Sequence, residues 1–395
     1  MEAFRPFMLQ AVVLARKARF LTAPNPAVGA VLVKDGVVVA EGYHKGPGLP
    51  HAEVEVLADA EAKGVNPAEC TLVVTLEPCR HHGKTPPCTD AVLAAGIRRV
   101  VVGTLDPNPE AGGGAELLRA VGVDVVVGVE EQICRDLIDD FVTWRTSDLP
   151  YTFLKLAGSL DGRIATRTGH SRWVSSEAAR HEGHKLRRHM HALIVGGNTF
   201  YQDDPWLTCR LEGVECPHQP FAVVVTSRLP DADASYYLLR ERAQSTVFWT
   251  TVAAAAGPKA VALRKLGVRV MGLSSQARAN TRGHGMRAEL NLEEGLRLLR
   301  SELDCRYVLC EGGGRLGLTM LEKNLIREFH LHLAPKILGD NEATPLFDGR
   351  SPLTMEDALS LRIAGVSSCD TDIILTFRPA APTAAPSTEA ECSPA

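Results

Sequence analysis

Three donor residues far apart in the chain must converge, and this constrains the N-terminal half more than any other feature. His51 in PHAEVEVL, and Cys79 and Cys88 in TLEPCRHHGKTPPCTDAV, carry the donor types of one zinc ion, with Glu53 two residues past the histidine. An imidazole and two thiolates fill three tetrahedral positions and leave the fourth to water, the arrangement of a catalytic rather than a structural zinc. Zinc makes hydroxide available near neutral pH. Glu53 is too close to His51 to be an obvious fourth ligand, but it can carry protons between that water and a departing amine. The chemistry implied is hydrolytic deamination. Zinc deaminases pair His-x-Glu with Pro-Cys-x-x-Cys, whereas here the second cysteine follows the first by nine residues. Singly, these residues have blander readings as buried thiols and a capping or surface histidine. Together, with their flanking prolines, they read as one centre.

Local patterning says how the fold would bring them together. Helical spacing from Arg5 to Arg19 precedes two strands, Ala27 to Val33 and Val37 to Tyr43, joined at Asp35-Gly36, a hairpin dipeptide. Ala52 to Ala62 reads as a helix with His51 and Glu53 at its start. Thr71 to Leu76 reads as a strand leading into Cys79, and Pro87 to Ala95 as a helix opening at Cys88. Zinc would then lie between two helix N-termini, which favour thiolate and hydroxide. Strands at Arg99 to Gly103 and Val123 to Val127, a helix at Ala115 to Val121 and another from Glu130 to Arg145 continue the alternation of an α/β sandwich. Asp148-Leu149-Pro150 marks a boundary, giving a first domain over residues 1–147.

The rest of the chain also alternates. Strands are expected at Thr152 to Leu156, Ala192 to Val195, Phe221 to Thr226, Thr246 to Thr250, Val268 to Met271, Tyr307 to Cys310, Phe329 to Ala334 and Asp372 to Arg378, with a helix after Ser175. Neither the His-x-Glu nor the paired cysteines recur, so this second domain, residues 148–379, is no repeat of the first. Glu311-Gly-Gly-Gly-Arg-Leu-Gly-Leu-Thr319 follows an apolar strand and opens a helix, where close glycines and a helix N-terminus suit a phosphate. It fits neither the dinucleotide fingerprint nor the triphosphate loop, and a plain strand-to-helix turn is the alternative. Residues 380–395, rich in Pro, Ala and small polar residues, cannot build a core and read as a disordered tail.

Charge and cysteine usage narrow the classes. A net charge of −4 over 395 residues gives no chain-wide footprint for nucleic acid, and the basic run His184 to His191 reads as a solvated helix face. No apolar stretch is long enough to span a bilayer, and the N-terminus reads as mature protein rather than a signal peptide. Ten cysteines without paired spacing imply a reducing, cytoplasmic compartment. A nucleic-acid or nucleoside deaminase is disfavoured by the charge. A zinc-stabilised structural module is disfavoured by Glu53, which a structural zinc does not need.

The long cysteine spacing carries a resemblance. EPCRHHGKTPPC, preceded by TAPNPAVGAVLV and followed by DPNP, resembles the deaminase half of the RibD family of bifunctional riboflavin-biosynthesis proteins. LKLAGSLDGRIA, GHSRWVSSEAAR, DDPWLTCRL, EGGGRLG and APKILG then follow in the order of that family's reductase half. The resemblance implies a cytidine-deaminase-like α/β/α sandwich followed by a dihydrofolate-reductase-like α/β domain. It implies Zn2+ and NADPH as cofactors and a small phosphorylated pyrimidine as substrate, with no nucleic-acid or membrane partner. Family members often associate, although no interface is legible here. The implied deaminase substrate residues are Asn25, His44, His81, Lys84 and Asn108. At NADPH it implies Ala157, Trp173, Thr199, Asp203, Ser227 and the run Gly313, Gly314, Arg315, Leu316, Gly317, Leu318 and Thr319. At the reductase substrate it implies Lys155, Ser171, Arg187, Leu207, Arg210 and Glu311. Arg187 and Arg210 suit a sugar phosphate, since guanidinium binds phosphate as a fork. There are departures from the family pattern. Arg80 follows the first cysteine, which would bring a positive charge near zinc. Gly112-Gly113-Gly114 lack the usual basic residue, which puts phosphate contacts from that loop in question and leaves it only backbone N–H groups to offer. Asn198 and Thr226 alter the cofactor turns. No proton donor for hydride transfer stands out.

Overall fold

The computed structural model describes the chain apart from residues 83–85, 217, 280–285 and 381–395. The expected tail, from residue 381 on, and Lys84 lie outside the described residues. Two compact units divide the chain, Met1–Asp148 and the part from Leu149 onward.

The first unit runs α1 (Arg5–Ala18), β1 (Gly29–Lys34), β2 (Val37–Tyr43), α2 (Ala52–Ala62), β3 (Thr71–Leu76), α3 (Cys88–Ala94), β4 (Arg99–Thr104), α4 (Gly114–Ala120), β5 (Asp124–Val127), α5 (Glu131–Leu137) and α6 (Asp139–Thr146). The sheet order is β2-β1-β3-β4-β5. β1 is antiparallel to both β2 and β3, while β3, β4 and β5 are parallel. Asp35 and Gly36 both take positive φ, 49° and 76°, so the hairpin turn is of the primed kind whose twist matches its strands. Leu72, Val73, Val74, Val100, Val101 and Val102 are fully buried, as parallel strands covered on both faces require. Two glycines set how closely helices approach. A Cβ on Gly29 would lie 2.2 Å from the Ala11 carbonyl of α1, and one on Gly42 would lie 2.4 Å from the Val56 nitrogen of α2. The second contact matters for function, because α2 begins immediately after His51. One expectation needs correcting. The helix expected from Glu130 to Arg145 is two helices, broken at Ile138, whose side chain is buried in the core. Asp139 and Asp140 then start a new first turn, where acidic residues favour a helix N-terminus.

The second unit is built on a nine-stranded sheet. Its strands, in spatial order, are Arg269–Leu273, Thr246–Thr251, Phe221–Val225, Ala192–Gly196, Tyr307–Cys310, Tyr151–Ser159, Glu328–Ala334, Asp372–Pro379 and Leu361–Cys369. The first seven are parallel, and the last two are joined on by antiparallel pairings. Every expected strand is present. Helix Glu177–Arg187 follows Ser176, whose hydroxyl caps it by accepting from Ala179 N–H. Edge strand Leu361–Cys369 and the paired strands Ser275–Ala279 and Met286–Leu290 were not expected from the sequence. The edge strand slips register between Ile363 and Gly365 and exposes Ile363 and Val366, which erases any clean alternation.

Candidate active sites

In the first unit, β3 ends at Leu76 and delivers Glu77-Pro78-Cys79 to the carboxyl edge of the parallel strands, where α/β sheets place ligands. His51 is the N-cap residue of α2 and Cys88 the first residue of α3. His51 Nδ1 lies 3.2 Å from Cys88 Sγ and 3.7 Å from Cys79 Sγ, and the three donor atoms fall within 4.8 Å of one another. Zinc bond lengths of about 2.3 Å to sulfur and 2.05 Å to nitrogen give a tetrahedral N···S edge of about 3.6 Å, so the donor set fits. A hydrogen bond from the Cys88 thiol and another from His51 hold Cys79 down to about 4, while the same bond and burial push Cys88 up. Metal binding would therefore displace protons held among the three. Glu53 is 4% exposed, in the first turn of α2. Burial, with the Cys79 charge adding, pushes its carboxyl up to about 7 against the pull of its own backbone N–H and His51.

These groups line a cavity of about 420 Å³ together with Asn25, His44, His81 and Asn108. His44 Nδ1 is 3.0 Å from the Pro50 carbonyl, which can only accept, so Nδ1 carries the proton and Nε2 accepts from the Asn25 amide at 3.2 Å. Burial holds His44 below the ordinary imidazole range, consistent with that neutral tautomer. The Asn25 carbonyl oxygen is thereby left to read a ligand. The Gly112-Gly113-Gly114 loop is already engaged within the protein. The Gly112 and Gly113 N–H groups are already spent, on the Asn108 carbonyl and on Glu77, so they are not free phosphate donors. Arg80 is exposed, with its guanidinium against Gly113.

In the second unit a cavity of about 640 Å³ is lined by Ser171, Thr199, Asp203, Ser227, Gly313, Gly314, Arg315, Leu316, Leu318 and Thr319. A Cβ built on Gly196 or Gly313 would meet nothing within 4 Å, so both backbones are open to a ligand, and helix Gly314–Glu322 begins there. This cradle fits a dinucleotide phosphate. Ala157 and Trp173 are not among the lining residues. Ala157 is paired within the sheet to His332, and Trp173 is exposed beneath the Arg180 guanidinium. Gly317 faces Leu154 in the core. Thr226 Oγ1 accepts from Arg228 N–H, so this departure makes a local turn.

Arg187 and Glu311 form a largely buried fork, Nε to both carboxylate oxygens at 3.0 Å and Nη2 to Oε2 at 2.7 Å. Burial opposes ionisation of Glu311, but Arg187 and Lys155 outweigh it and hold the carboxyl below its usual range. Lys155 is half-buried beside them, its ammonium makes no hydrogen bond with any described residue, and its pKa is lowered by burial. Arg187 also donates to the Thr208 carbonyl, and Arg210 to the Thr208 hydroxyl. Leu207 is buried at φ 48°, an uncommon conformation for leucine. Arg242, which no sequence motif singles out, overdetermines it by donating to the carbonyls of Trp206, Leu207 and Pro220.

Comparison with known proteins places both halves. Residues 1–104 match the cytidine and deoxycytidylate deaminase zinc-binding region, and residues 150–375 match the RibD C-terminal domain. The riboflavin biosynthesis protein RibD of Aquifex aeolicus is 39% identical over 95% of this chain and 99% of its own. The chain belongs to the RibD family. The Escherichia coli K12 RibD is 35% identical over 85% of this chain and 88% of its own. A solved Thermotoga maritima structure, a diaminohydroxyphosphoribosylaminopyrimidine deaminase and 5-amino-6-(5-phosphoribosylamino)uracil reductase, is 34% identical, covers 96% of this chain and 99% of its own, and superposes with a TM-score of 0.71. Like its family, the chain is a bifunctional deaminase and reductase of riboflavin biosynthesis, a hydrolase and an NADP-dependent oxidoreductase using Zn2+ and NADPH. The deaminase-like fold of its first unit and the reductase fold of its second follow from the same matches. No helix among the described residues is long and apolar enough to cross a membrane.

Some residues of these sites were assigned no role from the sequence. Phe141 and Arg145, outside every motif, and Asp106, inside DPNP, line the deaminase cavity. Glu77, buried next to Pro78, accepts from the backbone N–H groups of Asp106, Gly113 and Ala115. Glu77 opens the EPCRHHGKTPPC motif, but nothing in the sequence assigns it the part of holding backbone N–H groups.

Proposed function

We propose that His51, Cys79 and Cys88 hold the Zn2+, that Glu53 moves the protons of deamination, and that the substrate is 2,5-diamino-6-(5-phosphoribosylamino)pyrimidin-4(3H)-one. The observation that carries this is the convergence of the three donors beside a buried carboxyl whose proton affinity lies near neutrality. Bound zinc would supply a nucleophilic hydroxide at neutral pH. Glu53 takes a proton at Oε and returns it to the leaving amine. Asn25, oriented by neutral His44, reads the pyrimidine edge, with Asn108 and His81 along the same wall. Lys84 is assigned to the substrate on family resemblance alone.

In the second half, NADPH would supply the hydride that converts ribosyl to ribityl, giving 5-amino-6-(5-phosphoribitylamino)uracil. Thr199, Asp203, Ser227 and Gly313 to Thr319 form its cradle. Arg187 and Arg210 face the substrate phosphate, with Glu311 fixing Arg187. Lys155, whose side chain has no hydrogen-bond partner among the described residues, is the group that can give a proton to the sugar ring oxygen as it opens. A reducing cytoplasm is the compartment that keeps the two ligand thiols available.

The test follows ammonia release without reductant, then NADPH oxidation once it is added. Glu53→Gln should abolish ammonia release with zinc still bound, and loss of zinc instead would sink the role given to Glu53. Chelation should stop ammonia release while NADPH oxidation on deaminated substrate continues.

A further inference from the structure

The proposed substrate carries a phosphate monoester, so its deaminase cavity must hold a dianion as well as a pyrimidine. Among the described lining residues the acidic groups are Glu53, Glu77, Asp106 and Glu110, and the sole guanidinium or ammonium is that of Arg145. The N–H groups of loop residues Gly112 and Gly113 are already bonded. Arg145 lies one turn after Phe141 on α6, so the two side chains share a helix face and line one wall. Its Nη2 donates to Asn108 Oδ1 at 2.8 Å and approaches Glu110 Oε2 at 3.4 Å. The Nε and Nη1 donors make no hydrogen bond with any described residue. Glu110 is a weak competitor, because its side chain is 80% exposed and water can take it.

We infer that Arg145 is a phosphate-recognition residue of the deaminase site, binding the substrate 5′-phosphate through its free donors while its bond to Asn108 fixes the guanidinium. The inference rests on the substrate reading above and deepens it. A guanidinium offers a phosphate a planar fork, and the Asn108 bond sets the plane of that fork before the ligand arrives. The phosphate remains bound through the reaction and lies away from the reacting carbon, so this contact is equal in ground and transition states and belongs in KM rather than kcat.

The experiment compares ammonia release by the zinc-loaded full chain from the 5′-phosphorylated substrate and from the same riboside lacking phosphate. Arg145→Gln keeps a donor toward Asn108 but removes the charge. It should raise KM for the phosphorylated compound about 10- to 100-fold, the scale of a lost charge-assisted hydrogen bond, with kcat little changed. KM for the phosphate-free riboside should not move. Inorganic phosphate should inhibit wild type more than Arg145→Gln, and Glu110→Gln should strengthen that inhibition. Equal losses on both compounds would show that Arg145 acts only through Asn108 and overturn the inference alone, as would no loss on either. Wild-type ammonia release that ignores the 5′-phosphate would overturn the substrate reading and the inference with it.

Discussion

Replacing Glu77 with glutamine tests whether the deaminase loop is held by one buried carboxylate. Oε1 accepts from Gly113 N–H at 3.1 Å and Ala115 N–H at 2.8 Å, and Oε2 from Asp106 N–H at 3.0 Å. An amide has one oxygen, so the substituted side chain keeps either the pair or the single bond and turns its NH2 group against the remaining N–H. Each charge-assisted bond contributes about 1.5–3 kcal/mol and a neutral one about 1, while the stranded donor costs about 1–3. Removing a charge from a group that is 4% exposed relieves part of its desolvation cost, which offsets some of the loss. The net is a destabilisation of about 2–4 kcal/mol, confined to the unit Met1–Asp148. At about 2–4 °C per kcal/mol for a unit of this size, the first transition in calorimetry should fall by roughly 4–16 °C. The transition of the second unit should stay in place. Ammonia release should fall as well, because the same loop carries Asn108. A Glu77→Gln protein whose first transition lies within about a degree of wild type would refute the reasoning, since it would mean the three bonds are replaced at no cost.

Gly42→Ala should push α2 off the sheet, because its Cβ would sit 2.4 Å from Val56 N and 2.8 Å from the Ala52 carbonyl. A loss of about 1–3 kcal/mol in urea unfolding, with ammonia release lost and NADPH oxidation on deaminated substrate retained, is expected. Glu311 has a folded pKa below its unfolded value of about 4.3. Its contribution is therefore full above that value and is lost as pH falls through the folded pKa. Acid unfolding of Glu311→Gln should show a shallower limb below about pH 4, and an unchanged limb would count against the pair with Arg187. Lys155→Met should abolish NADPH oxidation yet melt no lower than wild type, because a cation lowered by burial and bonded to no described residue costs stability. Retained oxidation would remove Lys155 from the reaction.

The alternating pattern was readable because burial imposed it: Thr71–Leu76 and Arg99–Thr104 are apolar runs covered on both faces, and Asp35-Gly36 can close a hairpin because both residues accept positive φ. The proposed zinc ligands were readable because thiolate and imidazole chemistry restricts which residues can serve. What stayed hidden depends on direction rather than type. Whether Gly112 and Gly113 offer N–H groups to a ligand depends on where Glu77 points, and Glu77 is 29 residues or more from the groups it holds. Arg145 and Arg242 are ordinary arginines in sequence, and only the tertiary fold aims one into a cavity and the other at three carbonyls. The edge strand Leu361–Cys369 escaped notice because half its surface faces solvent and its register slips.

Both halves use one physical lever in opposite directions. Burial penalises whichever form is charged, so it raises the Glu53 carboxyl to about 7 and lowers the Lys155 ammonium. Each shift moves a group that would otherwise be fixed in one state toward the pH at which protons are exchanged, where an acid or base both holds its proton and releases it readily. The neighbours then set how far each shift runs. A zinc dication beside Glu53 would draw its carboxyl back down, so that it gives up its proton to the leaving amine rather than keeping it. Beside Lys155, Glu311 pulls the ammonium up and Arg187 pushes it down, so the Arg187–Glu311 fork would also set the strength of the proposed proton donor. Loss of Arg187 should for this reason disturb the pH profile of NADPH oxidation as well as substrate affinity, moving its basic limb upward, whereas an arginine acting only on phosphate would change KM alone.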